Sequence, residues 1–322
     1  MIKQQRVAAI MFLFIVINTV LHSQNYKEYY QLTATAQTHY VRKEYKEAIE
    51  KFKIAFNMFY PFFEDVEIMK KCYLAAGDKE SAYQAQCEMV LCGYKIDDTM
   101  PVIYPTTPVL IYHHQDVDLG DSLLEQQFFT IYPELRNQYE SHIDPELNKY
   151  MEACIYFEIY TRIMRQQAAS KSTKQLIQTA GFNTEKTIFM NLLREKDIPR
   201  FKVSAWTYFN TFGMLIHTAQ FTTKDDYEEY FKLLWQQVEK GNLHLDNYVT
   251  CFDNIYAEMN KFKKCYYGRQ CELKKDGKMH VLPVDDVKDI DNRRTKIGLP
   301  PLWVQCKQYN LVPPAGYAMP EE

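Results

Sequence analysis

Residues 144 to 163 carry the pattern that most restricts what this chain can become. Asp144-Pro145-Glu146 supplies a cap side chain, a first-turn proline and a carboxylate at the end of a helix that favours negative charge. Leu147, Met151, Ile155, Ile159 and Ile163 then recur at four-residue spacing, which puts one apolar stripe along a helix that must pack on something. The pattern repeats downstream. Asn183-Thr184 opens a helix with Ile188, Phe189, Leu192 and Leu193, stopped by Pro199. Residues 202–220, with Trp206, Phe209, Phe212, Leu215 and Ile216, read as a central buried helix. Thr223-x-x-Asp226 starts another, striped by Tyr227, Tyr230, Phe231, Leu234 and Val238 and ended by Gly241, and a further helix runs from about Asp246 to Lys261. Breakers are scarce, with 10 Gly and 13 Pro against 25 Tyr and 19 Phe, so long helices dominate and the expected class is all-α.

The N-terminal third reads as paired helices. Ala36, Tyr40, Tyr45, Ala48, Phe52 and Ala55 alternate small and aromatic residues at helix spacing and end at Pro61. Small residues where two helices touch allow the close packing of a tetratricopeptide unit. A weaker unit follows with Tyr73, a Gly77-Asp78 turn and Ala82, which lies 34 residues after Ala48, the length of that repeat. Residues 26 to 95 thus resemble a degenerate tetratricopeptide pair. Each unit leaves an apolar face for a neighbour, so the pair is expected to dock on the rest of the chain, serving either as a groove for a protein partner or as a helical cap.

Four segments result: 1–23, a tetratricopeptide-like region over 24–95, an extended connector over 96–120 set by Pro101, Pro105 and Pro108, and a helical domain over 121–322 with one small β-hairpin. In 1–23, Lys3 and Arg6 precede a 15-residue mostly apolar run from Val7 to Leu21 and then His22-Ser23. That is the layout of a cleaved secretory signal, with an uncleaved anchor as the alternative. The expected location is periplasmic or secreted, with membrane attachment only through that segment. Lys and Arg total 38 against 41 Asp and Glu, which gives no excess cation to hold a nucleic acid. No cofactor motif is present. Export would put the eight cysteines in an oxidising space, and Cys265 and Cys271, flanking a short Gly-containing stretch, are the preferred disulfide.

Around the end of the connector, His113, His114, Asp116 and Asp118 carry metal-ligand chemistry, although their spacing matches no calcium loop and a polar loop explains them too. Ser122-x-x-Glu125 reads as a capping box for the next helix. From 264 to 284, Cys265-Tyr266-Tyr267 and Met279-His280-Val281-Leu282 suggest two strands around an Asp276-Gly277 turn. Lys261, Lys263, Lys264, Arg269, Lys274, Lys275 and Lys278 make this stretch basic, for an anionic ligand, an internal match to Asp285, Asp286, Asp289 and Asp291, or a solvated hairpin.

Tyr267-Gly268-Arg269-Gln270, Asp285-Asp286-Val287, Asp291-Asn292-Arg293-Arg294 and Gly298-Leu299-Pro300-Pro301-Leu302 resemble the closing signature of an uncharacterised bacterial domain family of unknown function. Ile216-His217-Thr218 and Asp253-Asn254 resemble its upstream His and Asp positions, so the likeness spans about 120–310. The resemblance implies a mostly helical, often exported protein and carries no activity with it. From the residues themselves, His217 could act as a general base oriented by Asp253, with Arg293 or Arg294 holding a substrate anion and Gln270 and Asp291 beside them, as in a hydrolase. The other reading is a buried polar network with Asp291 and Arg294 as a surface pair, within a binding or scaffold module.

Overall fold

The computed structural model describes residues 26–94, 96, 117–195, 200, 202–203, 207, 211 and 224–320. Among the described residues the fold is all-α with one two-stranded antiparallel sheet, as expected. Helices α1 (Tyr26–Val41), α2 (Tyr45–Met58), α3 (Phe63–Ala75) and α4 (Lys79–Leu91) form two successive pairs. Ala36, Ala48, Phe52, Ala55 and Ala82 are all fully buried, so the small residues sit where the helices approach, as their spacing requires. Asp78 caps α4 by accepting from Ser81 N at 3.0 Å.

Helix α5 (Ser122–Glu140) packs on α4, and Phe128 and Leu135 join the core of the pairs. Its start differs from the expected capping box. Asp121, one residue earlier, is the cap and accepts from Leu123 N and Leu124 N, while Glu125 reaches back to Leu119 N at 3.0 Å. Helix α6 (Pro145–Gln167) begins as expected, with Asp144 accepting from Glu146 N and Leu147 N. Met151 and Ile155 of its stripe are buried, whereas Ile163 is exposed. Helix α7 runs unbroken over Lys171–Glu195, so Asn183 and Thr184 are interior rather than a start. Ser170, whose hydroxyl accepts from Thr173 N, provides the N-terminal signal instead.

Helices α8 (Lys224–Glu239) and α9 (Leu245–Met259) follow, then strands β1 (Cys271–Leu273) and β2 (Met279–Val281), α10 (Ile290–Ile297) and α11 (Leu302–Gln308). The strands pair Cys271 with Val281, Glu272 with His280 and Leu273 with Met279. The first strand is therefore Cys271–Leu273 and not Cys265–Tyr267; Cys265 instead bridges Val284. Asp276 caps the turn by accepting from Lys278 N at 3.0 Å.

The second major core joins the pairs to the rest of the chain. Tyr26, Tyr29, Tyr30 and Phe62 pack with Tyr230, Leu234, Leu243, Val249 and Leu299, and α1 lies against α8, α10 and α11. Tyr30 donates its hydroxyl to Leu243 O at 3.1 Å. Gly298 ends α10 at φ +97°, and a Cβ there would lie 2.7 Å from Tyr30 Cβ, so glycine is what lets α10 reach α1. The pair docks on the remainder of the chain, and the inner face of its first helix is filled from within.

Candidate functional site

The signature residues converge on one loop, Tyr266–Gln270, between α9 and β1. Asp253, fully buried on α9, accepts from Tyr266 N at 2.9 Å and Tyr267 N at 2.8 Å through Oδ1, and from Arg269 N at 2.7 Å through Oδ2. Burial raises its pKa, and the three N–H donors oppose that shift. From the other side Arg294, 1% exposed, donates to Tyr267 O at 2.6 Å and Pro300 O at 2.7 Å. Gln305 donates to Gly268 O at 2.9 Å. Gly268 has φ +78°, and a Cβ there would press on Leu302 at 2.9 Å, which accounts for glycine at the centre of the loop.

Asp291 and Arg294 are not the surface pair their spacing suggested. Arg294 points into the protein, where burial and the nearby Arg269 bring its pKa down to about 10 against the pull of Asp246, Asp253 and Asp291. Asp291 accepts from Leu302 N at 2.7 Å and from the Tyr317 hydroxyl at 2.8 Å, so it ties α10 to α11 and the C-terminal segment. Arg293 donates to Tyr266 O at 3.1 Å and to Asp285 O, and its guanidinium lies 4.5 Å from the Tyr266 ring centre. Gln270 contributes its main-chain carbonyl, which accepts from Leu282 N at 2.8 Å at the base of the hairpin. Beside the loop lies an open cleft of ≈ 780 Å³ lined by Tyr266, Tyr267, Asn292, Arg293, Lys296 and Ile297, among others.

The basic stretch is partly matched within the chain. Lys264 pairs with Asp285 at 2.5 Å and Arg269 with Asp246 at 3.2 Å. Cys265 and Cys271 are not joined; all eight cysteines are free thiols. The Cys265 thiol is turned to Leu282 O at 3.7 Å and that of Cys271 to Arg269 O at 4.0 Å, because Cys265 is packed into the core under the hairpin. His217, His113, His114 and Asp116 lie outside the described residues. Asp118 is exposed and accepts from Gly120 N at 2.9 Å, a turn contact.

A second polar centre, not foreseen from the sequence, sits where the pairs meet the domain. Asp65 of α3 is fully buried; its Oδ2 accepts from the Tyr29 hydroxyl at 2.7 Å and lies 3.6 Å from His244 Nε2, while Oδ1 has no hydrogen-bond partner. In its neutral form His244 caps α9, with Nδ1 accepting from Asp246 N at 3.3 Å. Burial pulls the imidazole pKa down, but Asp65, Glu64 and Asp246 outweigh that and raise it to about 9. Glu64 is pushed up to about 7 by burial, against the lowering effect of His244. Asp65, His244, Asp246 and Arg269 thus form a row of alternating charge from α3 to the signature loop. The only local signal was a His two residues before the Asp that opens a stripe, and His is not an ordinary cap.

Comparison of the chain with protein-family models, curated proteins and solved structures gives no match.

Proposed function

We propose that this is an exported helical binding or scaffold protein, periplasmic or secreted, in which the tetratricopeptide-like pairs form a frame and the C-terminal signature locks a domain onto it. The kinship with the uncharacterised bacterial domain family over 120–310 belongs to the same proposal. The observation that carries it is the engagement of Asp253, Arg293 and Arg294 by main-chain atoms: three N–H groups on the carboxylate, and carbonyls on both guanidiniums. A carboxylate that orients a general base, or an arginine that holds a substrate anion, needs those hydrogen-bonding positions open. The fold occupies most of them, which favours a structural role over a hydrolase centre.

With the inner face of α1 covered, a protein partner would meet outward surface. Ile54 of α2 is 47% exposed, and on α6 Tyr156 and Tyr160 are 59% and 61% exposed in one row with Ile163. The test uses the full-length chain, expressed with its own N-terminal segment and carrying a photo-crosslinking residue at position 54 or 160. A discrete protein adduct in the envelope fraction supports the reading. A hydrolytic activity that His217→Ala abolishes without lowering the melting temperature, with no adduct at either position, would replace it.

A further inference from the structure

We propose that the loop after α9, together with the tip of the hairpin, docks the protein on an anionic lipid surface. The first observation is a pair of backbone outliers. Lys261 and Phe262 have φ +54° and +56°, a region where glycine or asparagine is the ordinary occupant and a bulky residue is disfavoured. The conformation is imposed, since Phe262 N donates to Ala257 O at 2.6 Å, Lys263 N to Asn260 O at 3.1 Å and Asn260 Nδ2 to Tyr256 O at 2.8 Å. Lys264, pinned to Asp285, closes the loop.

Yet the Phe262 ring gains little packing for its disfavoured backbone: it is 59% exposed, and Met259 beside it is 57% exposed. A strained residue that presents an aromatic ring to solvent points to a role outside the fold.

The second observation is charge. Lys261 and Lys263 flank the ring, both are exposed, and neither side chain makes a hydrogen bond or ion pair among the described residues. The hairpin repeats the arrangement, with Leu273 70% exposed, Lys275 exposed and without a hydrogen bond or ion pair among the described residues, and Lys278 exposed beside the Asp276 carboxylate. Both protrusions grow from one small core containing Ala257, Cys265 and Val281. The acidic segment that follows pairs with Lys264 and makes no ion pair with these four lysines among the described residues. Apolar tips ringed by lysine suit the boundary between lipid headgroups and acyl chains, where the ring enters and the ammonium groups meet phosphate. A soluble polyanion would have no use for the exposed Phe262, Met259 and Leu273.

The experiment is co-sedimentation of the purified full-length protein with vesicles of phosphatidylglycerol and phosphatidylcholine, against phosphatidylcholine alone. Binding is expected only to the anionic vesicles, weakened in about 0.5 M salt. Each lysine changed to glutamine, in Lys261→Gln, Lys263→Gln, Lys275→Gln and Lys278→Gln, should lower the partition about five-fold. Phe262→Asn should weaken binding while the melting temperature holds or rises, because asparagine accepts the positive φ. That stability readout separates lost docking from misfolding. Absence of binding to anionic vesicles, equal binding to both vesicle types, unchanged binding by Phe262→Asn, or retention on RNA but not on vesicles would each overturn the proposal.

Discussion

Raising the pH from 6.5 to above 9 is expected to weaken the fold through His244. Two influences favour the neutral imidazole. Its Nδ1 must keep a lone pair to accept from Asp246 N, and it sits at the positive end of α9, effects worth about 1 kcal/mol each. Desolvation of the buried ring adds several more, also against the cation. Against these stands Asp65, 3.6 Å away, whose attraction for a unit positive charge is about 4–5 kcal/mol at an effective dielectric near 20. Glu64 and Asp246 add to it, and the sum holds the proton on the ring up to about 9. The folded protein therefore binds a proton that the unfolded chain releases at 6.5. The stability it confers is complete below 6.5 and lost as the pH rises through 9, about 3 kcal/mol in all. Glu64, raised to about 7, acts with the same sign at lower pH, contributing below its ordinary 4.5 and losing that contribution as the pH rises through 7. Urea unfolding of the full-length protein at pH 6.5, 7.2 and 8.0, below the range in which the buried thiols would ionise on unfolding, should show a falling midpoint with an unchanged slope against urea. His244→Asn, which keeps a cap oxygen but cannot take the charge, should flatten the trend above pH 7. A wild-type midpoint that is level or climbs over this range would refute the reasoning, and so would an unaltered trend in the variant.

Asp253→Asn keeps an oxygen for Tyr266 N and Tyr267 N but sets an amide N–H against Arg269 N; the predicted loss is about 3 kcal/mol, read as a melting temperature lower by roughly 5–10 °C. Arg294→Lys cannot reach both Tyr267 O and Pro300 O from one ammonium, so thermal unfolding should show a cost of about 3 kcal/mol despite the retained charge. Gly298→Ala drives a methyl to 2.7 Å from Tyr30 Cβ at φ +97°, and denaturant titration should give a loss of about 2–4 kcal/mol, whereas Gly277→Ala, with open space around it, should cost only the roughly 1 kcal/mol of its φ +75°.

What could be read in the sequence follows the range of the forces involved. The start of α6 was legible because Asp144, Pro145 and Glu146 act on the three residues that follow, and the packing of Ala36, Ala48 and Ala55 because small residues between helices leave a periodic mark. Asn183-Thr184 misled for the same local reason: the pair has cap chemistry, but a helix already nucleated at Ser170 runs through it, and Thr184 turns its hydroxyl back to Ala180 O. The first strand was misplaced because Cys265-Tyr266-Tyr267 has better strand composition than Cys271-Glu272-Leu273. Asp253, 13 residues upstream of Tyr266, claims the N–H groups of that stretch.

Arg294 and His244 show the limit most clearly. Three-residue spacing made Arg294 look like half of a surface pair, and nothing local reveals that Tyr267 and Pro300 close over it. His244 acquires its character from Asp65, 179 positions earlier in the chain. The perturbed charge of His244 therefore comes from the docking of α3 against the start of α9. The loop after α9 places a comparable demand on the residues around it. Asp253, Arg294 and Gln305 each have to meet particular main-chain atoms of one loop, which restricts residue identity tightly, and three of the roughly four accepting positions of the Asp253 carboxylate are taken by that loop.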